Sequence, residues 1–129
     1  MKPCDWDSHE HYERLIGPLR ETARDHGYAL AVHGSLVRDI DLIACAWVDT
    51  AAPAPVLAKA LLATVAVHNG GVARWSWRAD RDPEYTLAGC PGSKPHGRLC
   101  WVINLTRGAG PYIDLSVFPA RDTAAEPEQ

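Results

Sequence analysis

The sequence predicts an α/β (α+β) fold, a mixed sheet of about five strands backed by two helices, and three observations lead there. Two segments carry apolar residues at three- and four-residue spacing and end in glycine or asparagine-glycine stops. Several short runs are continuously apolar or strictly alternating, as strands covered on one face require. The order along the chain is helix, strand, strand, helix, strand, strand, strand, which describes one layer of sheet against one layer of helix.

The elements follow in turn. Asp7 and Ser8 are helix-capping residues, and Tyr12, Leu15, Ile16, Leu19 and Ala23 recur at helical intervals up to His26-Gly27, predicting a helix over about 9–26. Tyr28 to His33 is short, apolar and bounded by Gly27 and Gly34, a buried strand; Asp39 to Val48 reads as a longer one. Asp49 or Thr50 offers a cap, Pro53 and Pro55 suit a first turn, and Leu57, Ala60, Leu61, Thr64, Val65 and His68 mark one face of a second helix over about 54–68. Val72 to Ala79 is expected as a strand that exposes Arg74 and Arg78 and places Trp75 and Trp77 on the other face, followed by a loop over 80–97 rich in proline, glycine and charge. Leu99 to Leu105 and the alternating Tyr112 to Phe118 complete the sheet. Residues 1–119 thus read as a single domain, and 120–129, without apolar periodicity, as a flexible tail.

Composition narrows the function. The chain has 129 residues, is 47% hydrophobic and 22% charged, and carries a formal charge of −3, values of a soluble globular protein with a real core. It has no apolar run near the roughly 18 residues of a membrane helix, and its start lacks the grading of a secretion signal, so a cytoplasmic protein with no membrane partner is expected. Net acidity makes duplex DNA an unfavoured partner, because phosphate neutralisation dominates that affinity. Cys4, Cys45, Cys90 and Cys100 include no Cys-x-x-Cys pair; Cys45 and Cys100 lie in apolar runs and are expected to pack as small hydrophobes. His9 and His11, two apart on a helix, diverge by about 200° and share no ion.

The chemistry gathers around three aspartates. Asp39 and Asp41 are two apart on a strand, so their side chains leave one face with Cα atoms about 6.6 Å apart, while Ile40 and Leu42 anchor the other. Asp114 repeats the arrangement between Ile113 and Leu115. Three carboxylates meeting on one face repel one another and raise one another's pKa unless a cation sits among them. Mg2+, or Mn2+ in its place, prefers such oxygen ligands at about 2.0 to 2.1 Å and often completes its shell with substrate phosphates. Asp39, Asp41 and Asp114 are therefore the candidate metal-binding and catalytic residues. Gly34 allows close backbone approach and Ser35 adds a hydroxyl and an N–H, while Arg38, Lys94, His96 and Arg98 are candidate phosphate-binding cations.

The strings His33-Gly34-Ser35, Arg38-Asp39-Ile40-Asp41-Leu42 and Tyr112-Ile113-Asp114-Leu115-Ser116 resemble the nucleotidyltransferase superfamily of DNA polymerase β, nearest to its small bacterial members of the kanamycin nucleotidyltransferase-like and antitoxin types. The resemblance covers Val32 to Leu42 and Tyr112 to Val117 and implies a minimal, divergent member. It implies Gly34 and Ser35 as the phosphate-binding pair, Asp39, Asp41 and Asp114 as metal ligands, and transfer of a nucleotidyl group from a nucleoside triphosphate to an unknown acceptor. Where that family places a short helix between its Gly-Ser and its first metal aspartate, only Leu36, Val37 and Arg38 intervene here. With Pro95-His96-Gly97-Arg98, the same strings also resemble short phage and prophage proteins of no known activity.

Competing readings stay beside this one. Asp39 can cap a turn and Asp41 pair with Arg38, and His33 and His68 read as packed or surface residues. Ser35 lacks a Gly-x-Ser-x-Gly elbow and is no hydrolase nucleophile. Trp47, Trp75, Trp77 and Trp101 are expected to pack in the core or an interface. Two alternatives to the enzyme follow: an inactive nucleotidyltransferase-like interaction module, for which a homodimer through Trp75 and Trp77 is one form, and a single-stranded nucleic-acid binder using Arg74 to Arg78 as a stacking platform.

Overall fold

A computed structural model describes residues 8–76, 92–93 and 98–120. Helix α1 runs Ser8–Asp25, β1 Tyr28–His33, β2 Asp39–Ala46, α2 Ala54–His68, β3 Arg74–Trp75, β4 Gly92–Ser93, β5 Leu99–Asn104 and β6 Tyr112–Phe118. The expected fold class is the observed one, a mixed sheet with two helices on one face. Strand order is β1-β2-β6-β5-β3, with β4 pairing β5; β2 and β6 run parallel and the other pairs antiparallel. The expectations for Asp7, Trp77, Arg78, Lys94, His96, Cys4, Cys90 and 121–129 concern positions outside the described residues.

Alternation organises the sheet. On β2, Ile40, Leu42 and Ala44 are buried, and on β6 Ile113, Leu115 and Val117 are, each at 2% exposure or less. They meet Leu15, Leu19 and Ala23 of α1 and Leu57, Leu61 and Val65 of α2 in one core. Fully burying a leucine or isoleucine contributes about 1.5 to 3 kcal/mol, so this face supplies most of the fold's driving force. A bond between the hydroxyls of Thr22 and Thr64, 2.6 Å long, ties the helices together. The intervening residues, Asp39, Asp41 and Ile43 on β2 and Tyr112, Asp114 and Ser116 on β6, leave the opposite, helix-free face.

Four expectations need correction. The strand proposed over 72–79 begins only at Arg74: among the described residues Arg74 and Trp75 pair with Asn104 and Ile103, and the Ser76 N–H donates to the Val102 carbonyl at 2.9 Å, while 77–79 lie outside the described residues. The stretch 80–97, expected as loop, contains the short β4 at Gly92–Ser93, a pairing that periodicity cannot reveal in two residues. Neither Asp49 nor Thr50 caps α2: Pro53 is its N-cap, with no side-chain cap hydrogen bond. Trp47 and Cys45, expected to pack, are exposed, Trp47 by 67%: Cys45 has the parity of Asp39, Asp41 and Ile43 and so leaves the helix-free face, and Trp47 lies one residue beyond the end of β2. Trp75, by contrast, packs partly buried against the core, and Trp101 is buried in it.

Candidate functional site

Register brings the aspartates together. Asp41 stands opposite Asp114 in the parallel β2–β6 ladder, and Asp39 stands opposite Tyr112, two residues away on the same face. One carboxylate oxygen from each of Asp39, Asp41 and Asp114 lies within 4.8 Å of the other two. All three residues are half-buried, so the charges are neither fully hydrated nor sealed away. Ligands on one Mg2+ at about 2.05 Å stand about 2.9 Å apart when adjacent and about 4.1 Å when opposed. Movements of up to about an ångström per carboxylate oxygen would close the three onto one ion, and the purely hard-oxygen donor set suits Mg2+ or Mn2+.

The electrostatics reflect the crowding. Burial first, then the charges of Asp39 and Asp114, then a hydrogen bond with the Asp39 side chain push the Asp41 carboxyl above the usual carboxylate range; the charge of His33 opposes them. Tyr112 is pushed upward chiefly by burial and then by Asp39 and Asp114, with Arg38 acting in the other direction. The thiol of Cys100, itself 2% exposed, donates to Asp114 Oδ1 at 3.7 Å and fixes one side of that carboxylate.

The corner after β1 is built around Asp41. Gly34 has φ +86°, and a Cβ placed on it would stand 2.6 Å from Asp41 Oδ2. Only glycine permits both the conformation and the approach. Ser35 is exposed, and its Oγ accepts the Val37 N–H at 3.3 Å, closing a tight turn in which Leu36 takes φ +62°. As the spacing required, no helix separates Ser35 from Asp39.

Other expected members are more distant. Register places Arg98 one residue before Leu99, four positions from Val102, the partner of Asp114, or about 13 Å along β5. Its Nε is buried without a hydrogen-bond partner. Two site residues were missed in the sequence. His33 stands directly opposite Asp41 in the β1–β2 ladder, and parity with Asp39 and Asp41 was the available signal. Cys100 was read as a hydrophobe; only the β5–β6 register, which no local pattern specifies, brings it to Asp114. No helix among the described residues is long and apolar enough to cross a membrane. No family model, no curated protein and no solved structure matches this chain.

Proposed function

We propose that this chain is a minimal nucleotidyltransferase-like protein that binds a nucleoside triphosphate with one or two divalent cations at Asp39, Asp41 and Asp114. The observation that carries the reading is the approach of three carboxylate oxygens to within 4.8 Å on the helix-free face, beside a glycine corner that touches one of them. A bound Mg2+ or Mn2+ would neutralise phosphate charge and polarise the reacting phosphoryl group. The backbone at Gly34 and the hydroxyl of Ser35 would hold phosphate oxygens, with Arg38 and Arg98 supplying positive charge at the two ends of the face. In transfer, an acceptor hydroxyl would form the new bond to the α-phosphorus as the bond to pyrophosphate breaks, and Asp114 would bind the second metal or take the hydroxyl proton. A cytoplasmic setting fits such substrates.

A second reading, a non-catalytic relative that keeps the sheet as a binding module, is favoured by one observation. The turn at 35–38 has no helix, and so no helix N-terminus to face the phosphates. Titration calorimetry with Mg2+ and each triphosphate, followed by an assay of pyrophosphate release, separates the two. The enzyme reading expects metal-dependent nucleotide binding that disappears in the Asp39→Asn/Asp41→Asn double variant, together with release. Binding without release supports the module, and binding that survives the double variant rejects both.

A further inference from the structure

Away from the acidic cluster, an uncovered aromatic ring meets unpaired cations at the outer edge of β1. A hollow of about 230 Å3 is lined by Arg20, Arg24, Tyr28, Ala29, Leu30 and Trp47. Trp47 is 67% exposed, the second most exposed large apolar side chain among the described residues. Arg20 and Arg24 lie one turn apart on α1, both exposed, and neither forms an ion pair among the described residues. Like charges at that spacing destabilise a helix slightly, and an exposed indole gains nothing from the core. Glu21 and Asp25 stand about 100° round the helix from the arginine each follows, and Glu21, three residues before Arg24, forms no ion pair with it.

The edge itself restricts what can bind. Gly27 accepts the Trp47 N–H, so alternation turns the Tyr28 and Leu30 backbone groups outward from the sheet. Arg20 Nε donates to the Leu30 carbonyl at 3.4 Å, which occupies a group that an added strand would need. Strand addition by a peptide or a second copy is thereby opposed. A small anion would have no use for the indole, and an apolar partner none for two guanidinium groups.

We propose that this edge hollow binds single-stranded nucleic acid, with a base stacked on Trp47 and neighbouring phosphates held by Arg20 and Arg24. Such binders combine a stacking ring with a short positive track, and their partner is an unpaired strand because a duplex hides its base faces. The chain's charge of −3 confines the attraction to this patch and disfavours the broad phosphate footprint of a duplex. The site shares no residue with the aspartate cluster and does not rest on the nucleotidyl-transfer reading.

The test is fluorescence anisotropy of labelled oligouridylate and oligothymidylate of about a dozen nucleotides, with tryptophan emission followed in parallel. Binding is expected to quench part of the emission of the five tryptophans, a quench absent in Trp47→Ala, and, with two phosphates neutralised, to weaken about sevenfold between about 50 and 200 mM salt. Trp47→Ala should lose at least about fivefold in affinity, and Arg24→Ala should flatten the salt dependence; both sites are exposed, and circular dichroism would check that the variants fold. Arg20→Lys should bind more tightly than Arg20→Ala, separating charge from the Leu30 contact. The Asp39→Asn/Asp41→Asn variant should bind the strand as well as the parent. Absence of binding, undiminished binding in Trp47→Ala and Arg24→Ala, or equal affinity for a duplex or a free mononucleotide would each overturn the proposal.

Discussion

The two faces of the sheet are made by the same strands, and they differ in what each side chain must balance. On β2 and β6 the side chains that meet the helices are Ile40, Leu42, Ala44, Ile113, Leu115 and Val117, whose burial is favourable residue by residue. One position along from them stand Asp39, Asp41 and Asp114, whose gathering is unfavourable without a counter-charge. The first face can therefore hold the second in place. A slip of one residue would exchange the two sets, putting three carboxylates in the core, so the apolar face fixes the register on which the cluster depends. The open face is not uniformly wet, since Ser116 and Cys100 on it are 8% and 2% exposed.

This comparison can be broken most forcefully from the core side. Leu115→Ala removes a fully buried side chain beside Asp114 and should cost about 2 to 5 kcal/mol in denaturant unfolding, enough to unfold much of a marginal domain. Divalent cation should then recover part of the loss if it binds only the folded cluster. At the corner between the faces, Gly34→Ala should cost about 1 to 3 kcal/mol through its positive φ and its approach to Asp41. Its cation affinity should fall even where the fold survives, a combination that Gly70→Ala, with a positive φ but open space around its Cβ, should not show.

A smaller effect has the opposite sign. The Asp41 carboxyl is raised in the folded protein, so its protonated form is the one folding favours. That contribution is full below the unfolded value of 3.8 and is lost as pH climbs through the raised folded value. At neutral pH and without metal, Asp41→Asn should therefore melt a few degrees above the parent, and this advantage should shrink as pH falls below the raised value. Saturating Mg2+ or Mn2+ should reverse the order. Smallest is Cys100: Cys100→Ala should weaken cation binding by less than about tenfold by freeing one side of Asp114, and Cys100→Ser should restore it.

The legible parts of the sequence were those governed by local period. The bounds of α2 and β6 follow from spacing alone, and Asp39, Asp41 and Asp114 stood out because each breaks an apolar alternation on the same parity. What escaped depends on partners distant in the chain. β4 is two residues defined only by pairing with β5, and Trp47 is uncovered one residue beyond the end of β2, a boundary that its apolar run does not mark. Cys100 meets Asp114 through register, and Gly34 meets Asp41 through the hairpin, neither of which leaves a mark in a short window. Pro53 at the start of α2 shows the converse: proline's fixed φ begins the helix, where a side-chain cap from Asp49 or Thr50 was expected.

Electron paramagnetic resonance of Mn2+ titrated into the protein shows whether the carboxylates of Asp39, Asp41 and Asp114 act as a cation site. The free-ion signal should be depleted by one or two ions per chain, and that depletion should be lost in Asp41→Asn and weakened in Gly34→Ala. Depletion equal in the parent and in Asp41→Asn, or none at millimolar protein, would contradict a cation site there.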